Sequence, residues 1–142
     1  MKTYSFDTNF ISLAWGDKLP EKWLRRWKEV KMGYSRLLLC EPLISEMYYK
    51  NIPNYGMKSC KDKILWLKSL PNVKIHQIDD NDAINAGNIK LQHSGHILAL
   101  VDCFVLAIAR DYRAKVFTTD HWIRDIARDV SVDVDFLPLQ KE

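Results

Sequence analysis

Three cysteines, Cys40, Cys60 and Cys103, are too few and too irregularly placed for a disulfide framework. With no C-x-x-C pair among them, they read as reduced core residues of a cytoplasmic protein. No apolar run reaches the roughly 20 residues that a bilayer span needs, and the opening residues 1–7 place Asp7 where a secretory leader would keep its apolar core, so neither export nor a membrane role is expected. His76, His93 and His96 have no partners at ligand spacing, and no clustered Cys/His set argues for zinc, while His121 reads as a solvated loop histidine before a phosphate contact. No repeat, low-complexity tract or linker divides the 142 residues, a length that suits one domain over 1–142. A chain of that size buries roughly 70% of its unfolded surface. Nor is there a strong excess of one charge. The net +3 is a slight pointer to an anionic partner, and its distribution says more than its sum.

What is present centres on residues 97–109, apolar at every position except Asp102. The run is too short for a membrane and reads as a core helix surrounded by the rest of the protein, with Arg110 and Arg113 in its closing turn. An ionised carboxylate costs several kcal/mol to strip of water unless it is paired or bound to a cation. Asp102 therefore needs either a buried arginine partner or an ion.

The chain order supplies companions. A short strand over 4–6 ends in Asp7, and a brief helix follows over 10–15. Pro20 opens a helix over 21–32 with Trp23, Leu24, Trp27 and Val30 on one face and Lys22, Arg25 and Arg26 on the other. A strand over 36–40 leads into a helix over 43–50 carrying Glu46, and Pro53, Asn54 and Gly56 break the chain before a helix over 58–70 with Lys58, Lys61 and Lys68 outside. A strand over 73–78, a helix over 82–92 capped by Asp79, Asp80 and Asp82, and the Asp102 helix come next. Last are a strand over 114–118 ending near Asp120, a helix over 120–128 and a strand over 132–136. Strands alternating with helices imply a parallel sheet covered on both faces, with ligands beyond the carboxyl ends of the strands. Asp7 and Asp120 fall at such ends, Glu46 sits shortly past another, and Asp102 lies early in a helix leading back into the sheet.

Four carboxylates with no basic neighbour in sequence repel one another unless divalent cations share them. Oxygen ligands suit Mg²⁺ or Mn²⁺, and such a site hydrolyses phosphodiesters by generating hydroxide and neutralising the phosphate. Plainer roles compete: Asp7 and Asp120 as helix caps, Glu46 as a solvent-facing residue, Asp102 in a buried ion pair. Trp23 and Trp27 serve either the core or an interface between copies.

The motifs Phe6-Asp7-Thr8-Asn9, Ile44-Ser45-Glu46-Met47-Tyr48-Tyr49, Leu100-Val101-Asp102-Cys103-Phe104-Val105-Leu106-Ala107 and Phe117-Thr118-Thr119-Asp120, in that order, resemble the PIN domain, and in size the chain is most similar to its VapC-type toxins. The resemblance implies an α/β/α sandwich with a central parallel sheet flanked by helices, and a Mg²⁺- or Mn²⁺-dependent endoribonuclease in which Asp7, Glu46, Asp102 and Asp120 hold metal and activate water. It also implies support from Asn9 and Thr118, a homodimer, a cognate antitoxin that blocks the site, and operator DNA bound only through the antitoxin complex. Many relatives carry a further acid where this chain has Trp122, and Asp125 is the nearest substitute. For the RNA substrate, Lys22, Arg25, Arg26, Lys58 and Lys61 are the expected phosphate contacts. An RNA-processing or quality-control nuclease without an antitoxin, and a non-catalytic RNA-binding module, are the competing functions.

Overall fold

The computed structural model describes residues 1–139. Five strands, β1 (Thr3–Phe6), β2 (Arg36–Cys40), β3 (Val73–His76), β4 (Lys115–Thr118) and β5 (Val134–Phe136), form one sheet in the order β3-β2-β1-β4-β5, and every neighbouring pair is parallel. Six helices flank it: α1 (Thr8–Trp15), α2 (Glu21–Lys31), α3 (Glu41–Ser69), α4 (Asp80–Gln92), α5 (Leu100–Tyr112) and α6 (His121–Ala127). The α/β/α arrangement expected from the alternation of elements is thus present. From β1 the chain winds outward through β2 to β3, then returns to the other side of β1 for β4 and β5. The order reverses between β1 and β4, the place where such sheets leave a crevice at their carboxyl ends.

Aromatic packing fixes that central pair. Phe6 and Phe117 are register partners and meet edge to face at 5.5 Å, Phe10 packs on Phe6 at 4.6 Å, and Tyr4 closes on Phe117 at 4.9 Å. All four rings are buried. Trp27 joins them, and Trp23 packs against the same core while its indole Nε1 donates to Asp135 at 3.0 Å. Of the two roles weighed for these tryptophans, the core claims Trp27 fully and Trp23 in part, since Trp23 and Leu24 are half-buried.

Several boundaries shift by about two residues, β3 ending at His76 and β5 starting at Val134, and two differences go further. The helix carrying Glu46 does not stop at Lys50 but continues through Pro53 and bends at Gly56, whose φ of 79° and ψ of 165° are non-helical. That conformation is nearly closed to residues with a Cβ. Gly56→Ala is expected to cost about 1–2 kcal/mol in urea unfolding, through backbone strain alone, since nothing lies within 4 Å of an added Cβ. The other difference is at residues 97–109. The helix starts at Leu100, and Ile97 (77% exposed) and Leu100 (52%) face outward while Leu98 is buried, so within the helix full enclosure is confined to Cys103 and to Val105 through Ala109. An apolar run records a preference for burial, and here its first turn lies at the rim of a cleft.

Candidate active site

The register of β1 against β4 builds the first half of the site. Because Phe6 pairs with Phe117, the next residues, Asp7 and the last residue of β4, Thr118, stand side by side at the end of the sheet, and the Asp7 N–H donates to the Phe117 carbonyl at 3.1 Å. The fully buried Thr118 hydroxyl donates to Asp7 Oδ2 and accepts from the Asp120 N–H at 2.9 Å, so one side chain braces two acids. Asp7 Oδ1 accepts from the Phe10 N–H at 2.9 Å, capping α1, and Asp120 Oδ1 accepts from the Trp122 N–H at 2.8 Å, capping α6. Capping and cleft-lining are thus not alternatives: both acids do both.

The second half comes from two helices. Glu46, 6% exposed, lies in the second turn of α3 just beyond β2, and the solvent-facing role weighed for it is excluded by that burial. Asp102 lies in the first turn of α5, half-buried, with no lysine, arginine or histidine within 4 Å among the described residues, which excludes its buried ion pair. Asp7, Thr8, Asn9, Glu46, Lys50, Ala99, Asp102 and Asp120 line one cleft of about 50 Å³.

Crowding shows in the electrostatics. Loss of solvent raises Asp102 to about 7, reinforced by the charges of Asp7, Asp120 and Glu46 and only partly offset by a backbone hydrogen bond from Ala99. Asp7 rises to about 6, chiefly through burial, with Asp120 adding repulsion against the hydrogen bonds from Thr118, Phe10 and Thr119. A cation shared among the acids relieves such crowding.

The residues fit a hard divalent ion. Every charged ligand atom is oxygen, and the Thr8 hydroxyl is buried with no hydrogen-bond partner among the described residues. Among the described residues no three His, Cys, Asp or Glu side chains stand together in an arrangement that would hold a metal ion as they are placed. That agrees with the use made of these carboxylates, several of whose oxygens are engaged by Phe10, Thr118, Trp122 and Lys50. Mg²⁺ usually keeps several of its waters and binds through one or two carboxylates directly, so a dedicated cage is not required.

Sequence reasoning missed Lys50. Its Nζ lies 3.5 Å from Glu46 Oε1 and it lines the cleft. The signal was in the spacing: residues four apart share a helix face, whereas neighbours in sequence do not. The cations chosen from the sequence lie elsewhere. Lys58 and Lys61 are exposed on α3 beyond the bend at Gly56, Arg25 pairs with Glu21 at 3.2 Å, and Lys22 and Arg26 line a cavity among the amino ends of β1 and β4, opposite the acids. Asn9 lines the cleft with its side chain exposed. Asp125 pairs with Arg124 at 3.1 Å and does not reach the cleft, so it does not replace the acid that Trp122 displaces.

Thr118→Val tests the brace. It leaves an Asp7 oxygen and the Asp120 N–H without their partner, so urea unfolding at pH 8 is expected to show a loss of about 1–3 kcal/mol. Mn²⁺ affinity is expected to fall about tenfold or more, as for other groups that orient ligands.

The family model described as PIN domain matches residues 4–129. No curated protein sequence matches the chain. Among solved structures, VapBC2 from Rickettsia felis bound to a DNA fragment from its promoter superposes with a TM-score of 0.70 at 14% identity, covering 95% of this chain and 98% of that one. DNA-bound VapBC from Salmonella typhimurium gives 0.68 at 17%, covering 96% and 98%. FitAcB from Neisseria gonorrhoeae gives 0.64 at 20%, covering 95% and 97%. At these identities the likeness is one of fold.

Proposed function

This chain belongs to the PIN domain family, and from that premise we propose that it is an endoribonuclease hydrolysing RNA phosphodiester bonds with Mg²⁺ or Mn²⁺ held by Asp7, Glu46, Asp102 and Asp120. The observation that carries the reading is the delivery of four acids from separate elements into one small cleft at the carboxyl ends of the strands, two of them held at about 6 and about 7 by burial and mutual repulsion. When bound, the cation supplies hydroxide near neutral pH and neutralises charge on the phosphate. Thr118 holds Asp7 and Asp120 in place, and Asn9 lies on the same wall. Lys50, released from Glu46, offers positive charge to a phosphate oxygen at the cleft.

We also propose that the chain is the toxin of a toxin-antitoxin pair, forms a homodimer, and meets operator DNA only through its antitoxin. The VapBC and FitAcB structures that share its fold support the partner. Ile97 and Leu100, exposed on either side of the short segment containing cleft-lining Ala99, give such a protein an apolar foothold beside the acids. Incubating a structured RNA with the purified chain is expected to yield discrete fragments with Mg²⁺ or Mn²⁺ and none with EDTA. Intact RNA under all three conditions, from a folded and antitoxin-free protein, sinks the nuclease reading.

A further inference from the structure

In a fully parallel sheet all strands begin on one side, and here four of the five begin on positive charge. Lys2 precedes β1, Arg36 opens β2, Lys74 is the second residue of β3 and Lys115 opens β4. Arg36 is level with Thr3 and Lys74 with Leu38, whereas Lys115 is level with Tyr4. Successive strand side chains alternate between faces, so Arg36 and Lys74 emerge on one face of the sheet and Lys115 on the other, flanking the edge opposite the acid cleft.

Two cavities run along that edge. One of about 550 Å³ is lined by Lys2, Lys115, Arg113 and, from α2, Lys22 and Arg26. One of about 340 Å³ is lined by Arg36 and Lys74, and the two share Thr3 and Tyr112. The acids close by are already engaged: Asp133 lies 3.9 Å from Lys115, Asp135 accepts from Trp23, and Glu29 pairs with Arg26 at 2.6 Å. Lys2, Lys22, Arg36, Lys74 and Arg113 have no acid within 4 Å among the described residues. At the junction Tyr112 is 45% exposed, with Lys74 5.3 Å from its ring centroid.

A positive groove with an exposed aromatic ring beside it is the construction that holds single-stranded nucleic acid, phosphates on the cations and a base on the ring. We propose that this groove is a second RNA-binding surface, holding a single-stranded part of the substrate at the far end of the sheet from the cut. The proposal rests on the reading of the chain as a ribonuclease. Tyr112 holds His76 through its hydroxyl at 3.2 Å and still leaves part of its ring open to a base, a contact that an acidic protein segment would not use, which favours RNA.

The test is fluorescence anisotropy of a labelled oligouridine about 16 nucleotides long, the upper end of a single-strand site, titrated with the full chain in EDTA at several salt concentrations. EDTA leaves the acid cleft repulsive to RNA, so binding there reports the groove. The wild type is expected to bind with a clear salt dependence. In the triple variant Lys2→Gln, Arg36→Gln, Lys74→Gln, affinity is expected to fall at least about tenfold and the slope of log K against log salt by about 2, three cations at about 0.7 each. Arg113 is left alone because its φ of 53° makes it part of the α5 cap. Tyr112→Ser is expected to weaken binding about tenfold with the slope unchanged. Wild-type affinity and slope in the triple variant overturn the assignment and leave the charge to an acidic protein partner. So does a loss confined to a Lys58→Gln, Lys61→Gln double variant, which places the RNA on α3. Failure of the activity itself is seen separately, as no RNA cleavage with Mg²⁺ or Mn²⁺, and does not alter the binding result.

Discussion

Asp102→Asn is expected to fold normally and to cleave RNA at least about a thousandfold more slowly. The amide matches the carboxylate in shape but cannot offer a metal a charged oxygen, and a bound cation contributes several kcal/mol of charge stabilisation in such reactions, at about 1.4 kcal/mol per tenfold in rate. The same substitution is expected to raise the melting temperature of the metal-free protein at pH 8, because an ionised Asp102 there faces Asp7, Asp120 and Glu46 after losing much of its solvent. Loss of activity with gain of stability separates a metal-holding acid from a structural one. A buried structural carboxylate would show the opposite pairing, with lost stability and spared chemistry. Activity by a fixed-time cleavage assay and stability by differential scanning calorimetry in EDTA check the two halves.

The metal-free protein is expected to lose several kcal/mol of stability as pH rises from about 4 to above 7. Asp7 at about 6 and Asp102 at about 7 keep their protons in the folded chain across a range where the unfolded chain has released them, and each tenfold gain in proton affinity on folding corresponds to about 1.4 kcal/mol. The folded state binds more protons in that window, so stability falls with rising pH. Asp82 works in the other direction: its carboxyl, desolvated by burial, is held below the ordinary carboxylate range by hydrogen bonds at Asp79 and by His76 at 2.7 Å. Its contribution is present above the unfolded value and is lost only as pH falls through the lower folded one, below the Asp7 and Asp102 window. Saturating Mg²⁺ or Mn²⁺ is expected to flatten or reverse the slope above pH 6, since the ion binds the ionised acids and the folded chain alone. Urea unfolding at pH 5 and pH 8, with EDTA and with Mn²⁺, measures all four corners. A metal-free protein equally stable at both values would mean that the acids are solvated and far apart.

Much of the site was legible in the sequence because each acid sits where an element changes type. Asp7 and Asp120 follow strands, Glu46 comes soon after one, and Asp102 interrupts an apolar helix, and those transitions fix position along the chain well. What the sequence could not show was direction. Lys22 and Arg26 share a basic helix face that suggested a path to the acids, yet the packing of Trp23 and Trp27 into the core turns that face to the amino ends of the strands. Lys50 was overlooked for the converse reason: it is four residues from Glu46 along the chain and one turn away in space. The sharing of Thr118 between Asp7 and Asp120 depends on the pairing of Phe6 with Phe117, a long-range register that local patterning does not carry. The run at 97–109 overstated burial because hydrophobicity alone does not distinguish a core from the rim of a cleft.

Isothermal titration of Mn²⁺ into the antitoxin-free wild type and into Asp102→Asn, at pH 6.5 in two buffers of different ionisation enthalpy, asks whether the four acids form one cation site. If they do, the wild type binds saturably with net release of protons, because Asp7 and Asp102 are partly protonated at that pH when the cleft is empty. Proton release is then expected to fade by about pH 8.5, and binding to weaken at least about tenfold in the variant, as follows from the loss of a charged ligand. Equal Mn²⁺ affinity in the two proteins, or binding by the wild type with no buffer-dependent heat at pH 6.5, contradicts a shared site.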